Sequence, residues 1–288
     1  VNPLPTVAAI TGATNLCSGL TTQLASATAG GTWSSSNTAV ATVNASTGVV
    51  TGVAAGSVTI TYTVTINGCT SNAQATVTVN ALPVLASIGG TTNACVGSTT
   101  TLTNTTSGGV WTSSATAVAT VNTITGTVTG VSAGTSTITY TYTNANGCVS
   151  SVTTTVTINA LPTVAAITGT TSVCEGATTA LADVTSGGVW TSSNTATATV
   201  NASTGLVTGV AAGSTTITYT VTTINGCSTS VTTTVTVNAI PVVAAISGTT
   251  EVCAGSTTTL TSATAGGTWS SSNTAVATVN ASKGVVTG

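Results

Sequence analysis

Seven cysteines are the residues in this chain whose type and spacing best suit covalent chemistry. Cys17 and Cys69 stand 52 residues apart, Cys95 and Cys148 stand 53 apart, Cys174 and Cys227 stand 53 apart, and Cys253 is left over. Thiols in such pairs could form disulfides, ligate a metal or act as nucleophiles. A metal site needs closer ligand spacing, and the chain has neither a C-x-x-C pair nor a histidine. A nucleophilic thiolate needs a neighbouring base, and the sequence supplies none. The regular couples therefore read as disulfides formed in an oxidising compartment. Closing one such loop stabilises a small unit by roughly 4 kcal/mol in the chain-entropy account. Pairing inside each couple is the first expectation. A second stays open: Cys17 precedes the run SGLTTQL, in a loop, and Cys69 follows a hairpin turn. If those loops lie at opposite poles, Cys17 reaches Cys148 of the next unit instead.

Acid–base chemistry has little to work with. The charged residues are Glu175, Asp183, Glu251 and Lys283, 1% of the chain, against about 25% in an ordinary soluble protein. A general acid/base pair needs two fixed carboxylates. These three occupy unrelated positions in the repeat described below and read as surface drift. They are also too few to bridge calcium at every junction. We expect no enzyme, no metal and no cofactor. One lysine makes no basic patch, which excludes nucleic acid and anionic membrane as partners. Threonine interrupts every apolar run before the roughly 18–20 residues of a membrane helix, so no direct membrane insertion is expected. Yet 41% of the residues are hydrophobic, too many for a disordered chain. They must fill a core.

Trp33, Trp111, Trp190 and Trp269 each lie just after a glycine pair. Their first reading is core packing, with a sugar-stacking platform as the rival. Asn44, Asn201 and Asn280 in N-A-S, and Asn104 in N-T-T, match a glycosylation pattern but read as turn residues.

The tryptophans set the period, with spacings of 78, 79 and 79. VNPLP at 1–5 returns as VNALP at 79–83, INALP at 158–162 and VNAIP at 237–241. Three repeats follow, 2–79, 80–158 and 159–237, then a partial one, 238–288. Gly31 to Gly52 recurs almost letter for letter as Gly267 to Gly288, with Thr47 replaced by Lys283. The partial repeat lacks the two longest strands; continuation of the chain is expected to supply them, with another copy as the alternative source.

Inside a repeat the period is two. In SVTITYTVTI, Val58, Ile60, Tyr62, Val64 and Ile66 face one way and the intervening threonines the other, the pattern of a half-buried strand. Asn67-Gly68 makes a tight hairpin turn, and 73–79 alternates again. Shorter strand candidates are 6–10, 20–26, 31–36, 39–44 and 48–53. About seven short strands separated by turns make an all-β sandwich.

TWSSSNTAVATVNASTGVVTGVAAGSVTITYTV, 32–64, resembles the bacterial immunoglobulin-like group 2 repeats of invasin- and intimin-type surface proteins. The matching pieces are W-S-S-N, V-A-T-V, G-V-V-T-G-V and the A-A-G turn before T-I-T-Y. With VCxG and NGC, the pattern is similar to tandem repeats of large secreted proteins of Bacteroidota-type bacteria. The resemblance implies tandem immunoglobulin-like β-sandwich modules, located extracellularly or at the cell surface. Such a chain is expected to be a stiff rod that associates with itself into a filament or sheath, since a neutral threonine surface repels its copies little. The alternative is a passive stalk, whose receptor or glycan is bound by other domains outside this sequence. Functional amyloid and ice binding by threonine rows are weaker readings, because discrete repeats with paired cysteines argue for folded modules and sandwich sheets twist.

Overall fold

The computed structural model describes residues 2–288; Val1, the first residue of the repeat signature, lies outside them. Among the described residues there is no helix. None, therefore, is long and apolar enough to cross a membrane.

In the first repeat the strands are β1 (Ile10–Thr11), β2 (Asn15–Cys17), β3 (Thr21–Gln23), β4 (Ala25–Ser26), β5 (Thr32–Ser35), β6 (Ala41–Val43), β7 (Val49–Gly52), β8 (Gly56–Ile66) and β9 (Cys69–Asn80). One sheet runs β2-β9-β8-β5 and the facing one β3-β7-β6, with β1 paired to β4 beside it. In the next two repeats the counterparts of β3 and β4 fuse into Thr99–Thr103 and Thr178–Ala182, and the second sheet becomes four-stranded. Pairing is antiparallel except that β2 runs parallel to β9, with Cys17 opposite Asn80.

The period-two pattern explains the packing. Val58, Ile60, Tyr62 and Val64 of β8 are buried while the threonines between them face outward. They meet Ala41 and Val50 from the facing sheet and Leu24 from the link between β3 and β4. Two more cores repeat this arrangement, around Ile138, Tyr140 and Val156, and around Ile217, Tyr219 and Val235. Ser136 and Thr215 replace Val58 in these repeats, and both are buried. Their hydroxyls are satisfied: Ser136 Oγ accepts from the Ala115 amide at 3.1 Å and Thr215 Oγ1 from the Asn194 amide at 3.0 Å. A buried hydroxyl without such partners would cost stability.

The chain divides into two compact units: residues 1–161 together with 223–227, and residues 162–222 together with 228–288. In the second unit, 238–288 contributes a single three-stranded sheet, Thr257–Thr259, Thr278–Val279 and Val285–Thr287. Pro241, Val243, Ile246, Leu260 and Trp269 line a hollow there.

Three local expectations fail. Ile66, expected on the inward face with Val58 to Val64, is exposed at the end of β8. Of 6–10 only Ile10 joins a strand, although Val7 still packs on the core. Cys17, read as a loop residue, instead ends β2.

Candidate functional site: disulfide staples between repeats

One half of the site is a hairpin tip. Between β8 and β9 the turn is Asn67-Gly68, with φ of 50° and 79°, the left-handed pair a two-residue hairpin turn requires. The second and third repeats carry one more residue here, and their tips widen to 144–148 and 223–227. In the second, the Asn144 amide donates to the Cys148 carbonyl at 3.0 Å. Asn144 Oδ1 accepts from the amides of Asn146 and Cys148, both at 3.0 Å. Thr223 plays this part in the third repeat, its Oγ1 accepting from the Cys227 amide at 3.2 Å. Tip length does not move the cysteine along its strand. Tyr62 pairs with Ala73, Tyr140 with Val152 and Tyr219 with Val231, so Cys69, Cys148 and Cys227 each sit four residues before the tyrosine's partner.

The other half lies at the far end of the same long strand. Cys17 stands beside Asn80, Cys95 beside Asn159 and Cys174 beside Asn238 in the parallel register. Asn80 is also where the chain passes into the second repeat. The tip of that repeat returns to this point: Asn144 Nδ2 donates to the Ala81 carbonyl at 3.2 Å. Here Cys17 and Cys148 are joined in a disulfide, with Cα atoms 5.6 Å apart. Cys95 and Cys227 form the equivalent bond, also at 5.6 Å, with Asn225 Nδ2 donating to Asn159 Oδ1 at 3.0 Å. Cys148 and Cys227 are wholly buried.

Pairing within one repeat, the first expectation, is thus replaced by pairing between consecutive repeats. The reason is strand length. Cys17 adjoins the last residue of β9 and Cys69 is the first, eleven steps away. At about 3.4 Å per residue that is some 37 Å, whereas a disulfide spans about 4.4–6.8 Å between Cα atoms. Cys69, Cys174 and Cys253 are free thiols; Cys69 is half-buried and the other two are exposed.

The remaining sequence candidates sit as follows. Trp33, Trp111 and Trp190 are buried and pair across the ladder with Tyr62, Tyr140 and Tyr219, ring centroids 4.5, 4.6 and 4.5 Å apart. Trp269, with no such tyrosine opposite, is half-buried. The buried rings present no face for a sugar. Glu175 Oε1 accepts from the Ala212 amide at 2.7 Å. Asp183 Oδ1 accepts from the Thr185 amide at 2.7 Å, a turn contact that Asn104 Oδ1 makes with the Thr106 amide at 2.9 Å in the second repeat. Lys283 donates its backbone amide to Asn280 Oδ1 at 3.0 Å, as Thr47 does to Asn44 Oδ1 at 2.9 Å. Lys283 keeps the backbone contact of that turn but gives up the one made by Thr47 Oγ1, which accepts from the Val49 amide at 3.5 Å, so the one difference between the copied segments removes a single long side-chain hydrogen bond. Among the described residues no cluster of three or more His, Cys, Asp or Glu could hold a metal ion.

The missed element was the tyrosine. Three of the four tyrosines lie 29 residues after a Trp, at 33/62, 111/140 and 190/219, and that constancy was the available signal. The Tyr62 hydroxyl donates to the Thr28 carbonyl at 2.7 Å and accepts from the Gly31 amide at 2.8 Å. A β-carbon on Gly31 would come within 2.5 Å of the Tyr62 ring, which is why glycine stands just before each tryptophan strand.

No curated protein matches this sequence. Among solved structures it is similar to the extracellular cadherin domains 3–6 of protocadherin gamma B2, with 13% identity over 96% of this chain and 90% of that one, TM-score 0.23. An I-band fragment of titin gives 10% identity over 81% and 99%, TM-score 0.34. A C-terminal intimin fragment, solved with the intimin-binding domain of its translocated receptor, gives 17% identity over 67% and 60%, TM-score 0.25. The profile of the bacterial Ig-like domain (group 2) matches residues 5–79 and 149–232. With more than half of its residues in that match and a sandwich repeated along its length, the chain belongs to the bacterial Ig-like domain (group 2) family.

Proposed function

We propose that this protein is a structural, non-enzymatic array at a bacterial surface, whose stapled repeats form a stiff rod that associates with further copies of itself into a filament or sheath. The observation carrying this reading is the pair of disulfides, each joining one repeat to the next. A disulfide within a module stabilises that module alone. One between modules ties them through two covalent routes, the backbone and the sulfur bridge, and limits bending at the junction. Pro83, Pro162 and Pro241 restrict the backbone route further. Disulfides also fit an extracellular, oxidising location. With four charged side chains in the whole chain, contacts between copies would rest on hydroxyl, amide and small apolar groups.

Electron microscopy of the purified chain tests this. Beaded filaments with a repeat of about 40 Å (the length of the eleven- and twelve-residue strands β8 and β9 at about 3.4 Å per residue), unchanged in molar sodium chloride, are expected. Filaments that dissolve in salt would contradict an uncharged interface. Isolated rods would make the array a passive stalk, with adhesion carried by other domains.

A further inference from the structure

The three cysteines without partners fall into the two classes that make the staple. Cys174 and Cys253 belong to the class of Cys17 and Cys95: an apolar residue, the cysteine, any residue, then glycine. Cys69 belongs to the tip class, and it already occupies the bonded position. Its Sγ lies 3.5 Å from the Asn2 carbonyl oxygen, to which the thiol donates. Asn67, in the same turn, has its carbonyl 3.4 Å from Asn2 Nδ2. In the closed staples, Cys148 Sγ lies 3.9 Å from the Asn80 carbonyl oxygen and Cys227 Sγ lies 3.9 Å from that of Asn159. Asn2, Asn80 and Asn159 are the same residue of the V/I-N-x-L-P signature. The asparagine is therefore the landmark beside which the partner sulfur sits, since Cys17 pairs with Asn80 and Cys95 with Asn159.

We infer that Cys69 is an open half-staple whose partner is the apolar-C-x-G cysteine of another copy of this repeat, and that Cys174 and Cys253 are the complementary halves, each taking a tip cysteine of another copy. The array therefore extends by the same covalent link that joins its inner repeats. This deepens the structural reading above and rests on its staple. The other copy has two sources with the same chemistry: a repeat elsewhere on one polypeptide, or a second chain. In either case two thiols become one disulfide. The two protons and two electrons pass to a disulfide oxidant, such as oxidised glutathione or a disulfide oxidoreductase, which is reduced to two thiols.

The test uses the full chain in a glutathione redox buffer, alkylated and then digested with pepsin, because a single lysine leaves trypsin almost nothing to cut. Linked peptides are identified by mass spectrometry. A bond from Cys69 to Cys253 or Cys174 of a second copy is expected, together with a ladder of multimers on a non-reducing gel that collapses with reductant. Cys69→Ser should abolish the tip-mediated ladder while leaving Cys17–Cys148 and Cys95–Cys227 intact, which shows that the variant folds. The same mapping on protein taken from its own cells separates the sources. A Cys69 bond whose reduction lowers the molecular mass joins two chains, and one whose reduction leaves the mass unchanged lies within one chain; both support the inference. Cys69 bonded to Cys17 of its own repeat or to another Cys69, or fully alkylated while the inner staples are closed, overturns it. Inner staples that fail to form would instead overturn the structural reading itself.

Discussion

Tyr62 satisfies two backbone groups with one hydroxyl, accepting from the Gly31 amide and donating to the Thr28 carbonyl, while its ring packs on Trp33. Removing the hydroxyl leaves a part-buried donor and acceptor unpaired, at a cost of about 1–3 kcal/mol. Tyr62→Phe should therefore lower the melting transition of the first repeat and leave the other two unchanged, as read by calorimetry on the full chain. An unchanged thermogram would mean that water replaces both contacts. The sequence showed that this tyrosine points inward, because alternation assigns every second residue to the core. It did not show the hydroxyl's partners, because Thr28 and Gly31 lie 34 and 31 residues away. The charged residues read as surface drift, and Asp183 departs from that reading: it is half-buried, and its Oδ2 is enclosed without a hydrogen-bond partner. Each of Asp183 and Lys283 stands in a turn whose hydrogen bonds another residue type makes elsewhere in the array.

Among the elements, the long hairpin was readable and the short strand was not. β8 was legible over 57–66, nearly its whole length, around an Asn-Gly turn, whereas β9 was legible only over 73–79 of Cys69–Asn80, because its first four residues, CTSN, carry no apolar alternation. β2 has three residues, Asn15–Cys17, too few for any periodicity, and is held by a parallel partner more than sixty positions later in the chain. The connectivity of the cysteines depended on that one strand. Near-equal spacing inside each couple looked like an intramodular bond, but β2 places Cys17 at the end of β9 opposite to Cys69. The tip also holds the staple by hydrogen bonds. Asn144 supplies an acceptor for the Cys148 amide and a donor to Ala81 across the junction. At about 1 kcal/mol for each of these two bonds, Asn144→Ala should make Cys17–Cys148 roughly 25-fold easier to reduce, taking 1.4 kcal/mol per factor of ten. Cys95–Cys227, whose tip uses Thr223, should be unaffected and serves as the internal control in a thiol titration. Equal reduction of both bonds would show that Asn144 does not support the staple.

For the whole molecule, repetition was the most legible feature, since tryptophan spacing and the proline signature recur in every copy. What repetition could not reveal is that the copies are cross-linked, because a bond between repeats and a bond within one leave the same period. The central claim is that consecutive repeats are stapled covalently, and cutting the backbone between them tests it most directly. Val84 is 94% exposed in the junction, so a protease site inserted there should be tolerated. The nick separates Cys17 and Cys69 from the other five cysteines. After cleavage, the oxidised chain should still migrate as one species on a non-reducing denaturing gel and split into two only on reduction. Two fragments released without reductant would mean that Cys17 is not bonded to Cys148, and the account of a stapled array would fall.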